Sequence, residues 1–247
     1  MFRLVEMPHL PKSKVRHIII GEKYRNLLEN ALFVHNLEPI WLKCNPSVDE
    51  RLSGHADLAA VQIGQSITLS EYLKPCDQIH NIVKAEYITN PKQMVYPYDA
   101  GLNFCIVGDK LFYNPRSANA TLVTKCGCKH LIPVKQGYTK CSICVVDENS
   151  IITSDRRIAE KAENAGMNML YLPESFVVLD GFDHGFIGGA SFKISASELA
   201  FTGAIEDIKI KSKIESFLCE RNIDPIYLTD RPIFDIGSAI PLTEHIL

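Results

Sequence analysis

His55 and Asp57 stand two residues apart in "SGHADLAAVQIGQSITLS" (53–70), ahead of an apolar run that turns at Gly64-Gln65. A histidine can move a proton and an aspartate can hold a cation. If both lie on a strand, alternation sends their side chains out on one face. Such a pair is more often a surface hydrogen bond, so the elements around it have to decide. Four cysteines form a second candidate group. Cys126-x-Cys128 and Cys141-x-x-Cys144 could together make a four-thiolate zinc site. Against zinc, alternation sends Cys141 and Cys144 to opposite faces of a regular strand. Each cysteine could equally be a small buried residue. "IGGAS" (187–191) precedes a strand and not a helix, so it reads as a close-packed turn, not a dinucleotide loop.

Composition narrows the classes. The 247 residues are 46% hydrophobic and 22% charged, with a net charge of −3, as expected for a globular chain. No run of Lys and Arg marks a nucleic-acid or membrane surface, and neither is expected as a partner. The longest apolar runs, "HIIIG" and "SFVVL", are of strand length, far short of the ~20 residues of a membrane span. "MFRLVEMPHLPKSK" has no uninterrupted apolar stretch, so no signal peptide is expected. The cytoplasm is the default location, and the eight cysteines are expected as thiols.

The elements that must position these residues repeat along the chain. "LEPIWL" (37–42), "HLIPV" (130–134), "MNMLYLP" (167–173) and "IDPIYL" (223–228) look alike, with "QMVYP" (93–97) as a weaker fifth. Helix-like stretches precede four of the five. In "SDRRIAEKAENAG" Ser154 or Asp155 caps the start and Gly166 marks the stop. Ile208, Ile210, Ile214, Phe217 and Leu218 make a helical stripe further on. The stretch "SEYLKPCDQIHNIVK" is interrupted by Pro75 and is a poorer helix. Strand pairs with tight turns lead the units, most clearly "FCIV-GD-KLFY". They begin near residues 55, 101, 141 and 189, and one more period leads to Asp235 in "FDIGSAIPL". That last strand has no hairpin partner, and "RHIIIG" (16–21) has none before it. Pairing the two closes a ring and leaves no unit without a neighbour. The expectation is one domain, 1–247, of five ββαβ units over roughly 14–54, 55–99, 100–139, 140–182 and 183–247. Trp41, on an inter-unit strand, is expected in the core.

A ring of five such units resembles the pentein, or α/β-propeller, architecture. Its members include guanidine-modifying enzymes (arginine and agmatine deiminases, amidinotransferases, dimethylargininase) and non-catalytic ribosome anti-association factors. "GHADLAAVQIGQSI" resembles the Gly-His-x-Asp signature of agmatine deiminase. The resemblance implies that His55 is the general acid/base and that Asp57 contacts substrate nitrogen. "GLNFCIVGDKLFYNPRSAN" resembles the following unit of the family, with Asn103 opening the strand, which implies a substrate-binding residue there, and "YNPR" (113–116) at the turn. The next unit carries the nucleophilic cysteine in the family, which implies Cys141, with Cys144 as second choice. "FDIGSAI" is similar to the family's Glu-Gly-Gly element, so Asp235 would be its carboxylate. The order of the units is circularly permuted. One departure is plain: the aspartate that grips the guanidinium in the family is replaced by Gly188-Gly189, with Asp180, Asp183 and His184 just before as candidates for its place that nothing in the sequence requires.

The implied function is a cysteine-dependent hydrolase or amidinotransferase acting on a small guanidino or amidino compound through a covalent thiouronium adduct, with no cofactor and no metal. Homo-oligomer formation is compatible with it. Uncharacterised bacterial proteins assigned to this fold are similar. The rival readings are a non-catalytic pentein that binds a protein or ribosomal partner, and a zinc-bearing binding protein. Asp235 could also simply cap the closing strand. His9, His17, His35, His80, His130 and His245 have no partner visible in sequence.

Overall fold

A computed structural model describes residues 1–89, 91 and 94–246. The chain opens with β1 (Phe2–Leu4), β2 (Val15–Gly21), α1 (Arg25–Val34) and β3 (Glu38–Leu42). Blade one is β4 (Ala60–Ile63), β5 (Ser66–Ser70), α2 (Asp77–His80) and β6 (Ala85–Ile88). Blade two is β7 (Cys105–Val107), β8 (Lys110–Tyr113), α3 (Ala120–Lys125) and β9 (His130–Pro133). Blade three is β10 (Ile143–Asp147), β11 (Ser150–Thr153), α4 (Arg156–Asn164) and β12 (Asn168–Tyr171). Blade four is β13 (Ser191–Ser195), β14 (Glu198–Phe201), α5 (Ile208–Cys219) and β15 (Asp224–Tyr227). The chain ends in β16 (Ile240–His245).

In each of these four blades the hairpin is antiparallel and the helix returns the chain to a parallel third strand. A parallel return needs a crossover, and the helix is that crossover. The closing blade takes strands from both ends of the chain. β16 pairs antiparallel with β2, setting Ile240 opposite Ile19 and Pro241 opposite Ile18, and β2 pairs parallel with β3. β1 covers the other side of β16. The chain is therefore a five-bladed α/β-propeller of ββαβ units closed through its termini.

Successive strand side chains point to opposite faces. Ile18 and Ile20 enter a cluster with Phe192 and Ile194 of blade four. Ile19, between them, enters a cluster with Ile67 and Leu69 of blade one. Both faces of the strand are buried, which is why "HIIIG" is apolar throughout. The same holds around the ring: five apolar clusters among the described residues each join two neighbouring blades. The helices follow their punctuation. Asp155 accepts from the amides of Arg157 and Ile158 at the start of α4, and Gly166 takes φ +70° past its end. No helix among the described residues is long and apolar enough to cross a membrane.

Three local expectations are corrected. The third strand of blade one is Ala85–Ile88, not "QMVYP". Helix α2 spans only Asp77–His80, so the chain returns early, and Val95 and Tyr96 are left exposed in a turn; Gln93 lies outside the described residues. Ile208 drops out of the helical stripe: it is 79% exposed, and α5 buries Ile210, Ile214 and Leu218. The chemistry-bearing residues, finally, precede the inner strands and do not lie on them. His55 leads into a 3₁₀ turn (Ala56–Leu58), and Cys141 precedes β10.

Candidate active site

The five turns that lead into the inner strands meet at the axis and are stitched to one another. The Gly189 amide donates to the Cys141 carbonyl at 2.8 Å. The Gly189 carbonyl accepts from Ile236 and Ser238, and the Gly237 carbonyl accepts from Asp57 at 3.1 Å. The Asn103 carboxamide oxygen accepts from the amides of Lys140 (2.7 Å) and Cys141 (3.4 Å). Backbone hydrogen bonds between turns fix side chains more closely than loop contacts alone would, because each amide has a directional partner.

This stitching gathers the predicted residues. One atom each of His55, Cys141 and Asp235 lies within 4.8 Å of the other two, and all three residues are buried. Among the described residues this is the one histidine–cysteine–carboxylate group compact enough to hold a metal ion. Cys126 and Cys128 pack against the cluster between blades one and two, so the four-thiolate arrangement is not formed. The Cys141 thiol donates to Asp57 Oδ2 at 2.8 Å, and Asn103 Nδ2 lies 3.5 Å from its sulfur. Asn103 thus holds the cysteine turn from beneath. Cys144 is elsewhere: it packs in the core between blades three and four with Val146 and Leu199, and burial pushes its thiol up to about 11.

The glycines of "FIGGAS" have a steric reason. A Cβ on Gly188 would overlap the carbonyls of Ile143 and Lys140, and one on Gly189 would overlap the Asp235 carboxylate. Asp235 therefore fills the space that a side chain at residue 189 would need. Its carboxylate accepts from the amides of Phe186 (2.9 Å) and Gly237 (2.8 Å). Gly189→Ala is accordingly expected to destabilise the protein by about 1–3 kcal/mol through overpacking. In an Asp235→Ala background most of that loss disappears, and urea melts of the four proteins measure the coupling.

A cavity of about 230 Å³ opens above Cys141, lined by His55, Asp235, Tyr138 and the loop residues Phe182, Asp183 and His184. Arg51 ties that loop down: Nη1 donates to the Gly181 carbonyl at 2.5 Å, and the guanidinium lies 4.0 Å from the Phe182 ring centre. Tyr138 donates its hydroxyl to Asp99 at 2.7 Å. Nothing in the sequence pattern singled out Tyr138; only the fold brings it here. Asp183 and His184 line this cavity, whereas Asp180 lines a neighbouring one with Arg231 and Tyr24.

Burial sets the resting protonation. It lifts Asp57 to about 7, helped by Asp235 and opposed by the Cys141 hydrogen bond and Lys140. Burial first, then Asp57 and Asp235, hold Cys141 as a thiol well above its ordinary range. Burial lowers His55, with Asp235 opposing, so the imidazole rests neutral, and its Nε2 has no hydrogen-bond partner. The resting site is a thiol, a neutral imidazole and the buried Asp235 carboxyl facing a small cavity, with Asp57 behind the thiol and hydrogen-bonded to it. A planar cation is the kind of guest that such a site stabilises.

A family model described as a family of unknown function (DUF6873) matches residues 19–240. No curated protein sequence matches the chain. Several solved structures are similar in fold. Inosamine-phosphate amidinotransferase from Streptomyces griseus is 10% identical, with 99% of this chain and 98% of that one covered and a TM-score of 0.58. Agmatine deiminase from C. jejuni is 11% identical over 93% of this chain and 90% of that one, with a TM-score of 0.57. DDAH from Pseudomonas aeruginosa, a cysteine-to-serine mutant complexed with citrulline, is 12% identical over 87% and 93%, with a TM-score of 0.53. Likeness at this level of identity establishes the fold, which is that of the penteins. The chain belongs to the DUF6873 family.

Proposed function

We propose that the protein modifies a small guanidino or amidino compound by covalent cysteine catalysis at Cys141. The observation that carries this reading is the convergence of His55, Cys141 and Asp235 from three different blades on one buried point beneath a cavity. The solved structures of similar fold add support, because they include an amidinotransferase and an agmatine deiminase.

The chemistry follows from the resting protonation. A guanidinium entering the cavity brings positive charge beside Cys141, which favours the thiolate. The thiol proton passes to neutral His55. The sulfur attacks the planar carbon, and a C–S bond forms. The C–N bond to the departing amine then breaks, and His55 gives that amine the proton it took. Asp57 and Asp235 hold the remaining nitrogens by charge-assisted hydrogen bonds. Water attacks the thiouronium carbon in a hydrolase, and an amine does so in a transferase; His55 takes a proton from that nucleophile, the C–S bond breaks, and the proton restores the Cys141 thiol. A surface-binding role alone would leave the buried thiol–carboxylate contact without a use.

The test is turnover of a panel of guanidino and amidino compounds, followed by ureido product or released amine. Intact-mass measurement of trapped protein is the second readout. A covalent adduct on Cys141 supports the reading. The absence of both product and adduct across cationic, zwitterionic and phosphorylated members would oppose it.

A further inference from the structure

Beneath Asp57, on the side away from the substrate cavity, the axis holds two buried polar residues that the proposed chemistry does not use. Lys140 is 4% exposed and donates from Nζ to the Gly188 carbonyl (3.0 Å) and to Ser238 Oγ (2.9 Å). It makes no ion pair within 4.0 Å among the described residues. His9 arrives from the N-terminal segment, which crosses the axis. Val5 of that segment bonds to Leu242 and Gln62, and Leu10 packs between blades two and three. His9 takes φ +67°, an uncommon conformation for a residue with a side chain.

Lys140, His9 and Asp57 line one small cavity with Ser238 and apolar neighbours. It has room for the centre of a single water, about 10 Å³. Its polar rim is well supplied. Asp57 Oδ1 is buried without a hydrogen-bond partner, and the Lys140 ammonium has used two of its three donors.

We propose that Lys140 is a positioning residue for the Asp57 carboxylate, its ammonium balancing that carboxylate across one buried water that His9 closes in. Lys140 spans three blades: it neighbours Cys141 in chain and is tied to blade four at Gly188 and to the closing blade at Ser238. A buried ammonium is costly to desolvate unless an anion is near. Asp57 is the carboxylate in its cavity. On the far side Asp57 meets Cys141, with Asp235 adding like charge. His55 and Tyr24 also face this group. Around the lysine lie His9, Cys105 and Cys144. Lys140 supplies the fixed positive charge that keeps Asp57 ready to meet a cationic substrate.

The inference deepens the proposed function and rests on its assignment of Asp57, but its readouts need no substrate. Lys140→Gln keeps hydrogen-bond donors and removes the charge. Infrared difference spectra against Asp57→Asn at pH ~8 should show a protonated carboxylic acid in Lys140→Gln and a carboxylate in the natural protein. Lys140→Arg should restore the carboxylate. Asp57 ionised equally in the folded Lys140→Gln protein would overturn the proposal. If that variant does not fold, a high-resolution crystal structure of the natural protein decides. Water density bridging Lys140 Nζ and Asp57 Oδ1 upholds the proposal, and a dry cavity overturns it. Failure of every guanidino substrate, with these results intact, would remove the proposed function and leave the Lys140–Asp57 coupling standing.

Discussion

Cys141→Ser is expected to lower turnover of a guanidino substrate by at least ~10⁴-fold, because removal of a nucleophile takes away the covalent route entirely. His55→Gln should cost about 10²–10⁴-fold, the range for a positioned proton carrier. Cys144→Ala serves as the internal contrast. Cys144 lies in the core between blades three and four, so its loss should leave turnover near the natural value and lower stability slightly. The measurement is kcat and kcat/KM for each folded variant. Equal losses for Cys141 and Cys144 would show that the cysteines matter only through packing. The convergence of blades makes the contrast sharp, since the two sulfurs are three residues apart and yet serve different surroundings.

Asp57→Asn is expected to stabilise the protein at pH ~8, against the usual direction for a buried substitution. The sign follows from linkage. Burial raises the folded Asp57 to about 7, whereas the unfolded chain releases this proton near 4. Between those values the unfolded state has lost the proton and the folded state keeps it. Asp57 therefore stabilises fully below pH ~4, and its contribution falls as pH rises toward ~7, by roughly 1.4 kcal/mol per unit. Above that it is level, at a total cost of about 4 kcal/mol. Asparagine does not titrate, so the difference between the two proteins should grow through that window and then plateau. Urea midpoints from pH 4 to 8 measure it. A difference that stays flat with pH would mean that Asp57 is ionised at its ordinary value. A carboxylate kept at such a cost is the mark of a group retained for what it does to a ligand.

Much of this architecture was legible in the residue pattern. The hairpins showed through their turn residues, such as Gly108-Asp109, and the closing pair through two strands that each lacked a partner. The repeat spacing also led to the approach of the closing strand, although the intervals between inner-strand starts differ by several residues. Blade one hid its third strand. "AEYI" is half-buried and carries a glutamate, while the more apolar "QMVYP" drew attention to a stretch whose described residues, 94–97, form no strand. His55 and Asp57 drew attention by type, repeat position and resemblance, but the face argument did not apply, since a 3₁₀ turn and not a strand presents them. Lys140, Tyr138 and His9 could not be read at all. Each matters through neighbours far away in the chain, and neither periodicity nor local spacing carries that information. The steric demand at Gly189 was invisible for the same reason: Asp235, which fills its side-chain space, lies 46 residues on.

Site-resolved alkylation of the natural protein tests the central claim most directly. Cys141 rests as a buried thiol, so neutral iodoacetamide should label exposed Cys219 first. A haloacetamidine, cationic and planar, should reverse that order. It would bind between the carboxylates, draw the thiol proton to His55, and label Cys141 fastest of the eight cysteines. Peptide mass spectra over a time course report the order. Preferential labelling of Cys141 by the cationic reagent, lost in Asp235→Ala, is the predicted result. Labelling of Cys141 no faster by the amidine than by iodoacetamide would contradict a hub built to activate its thiol around a guanidinium.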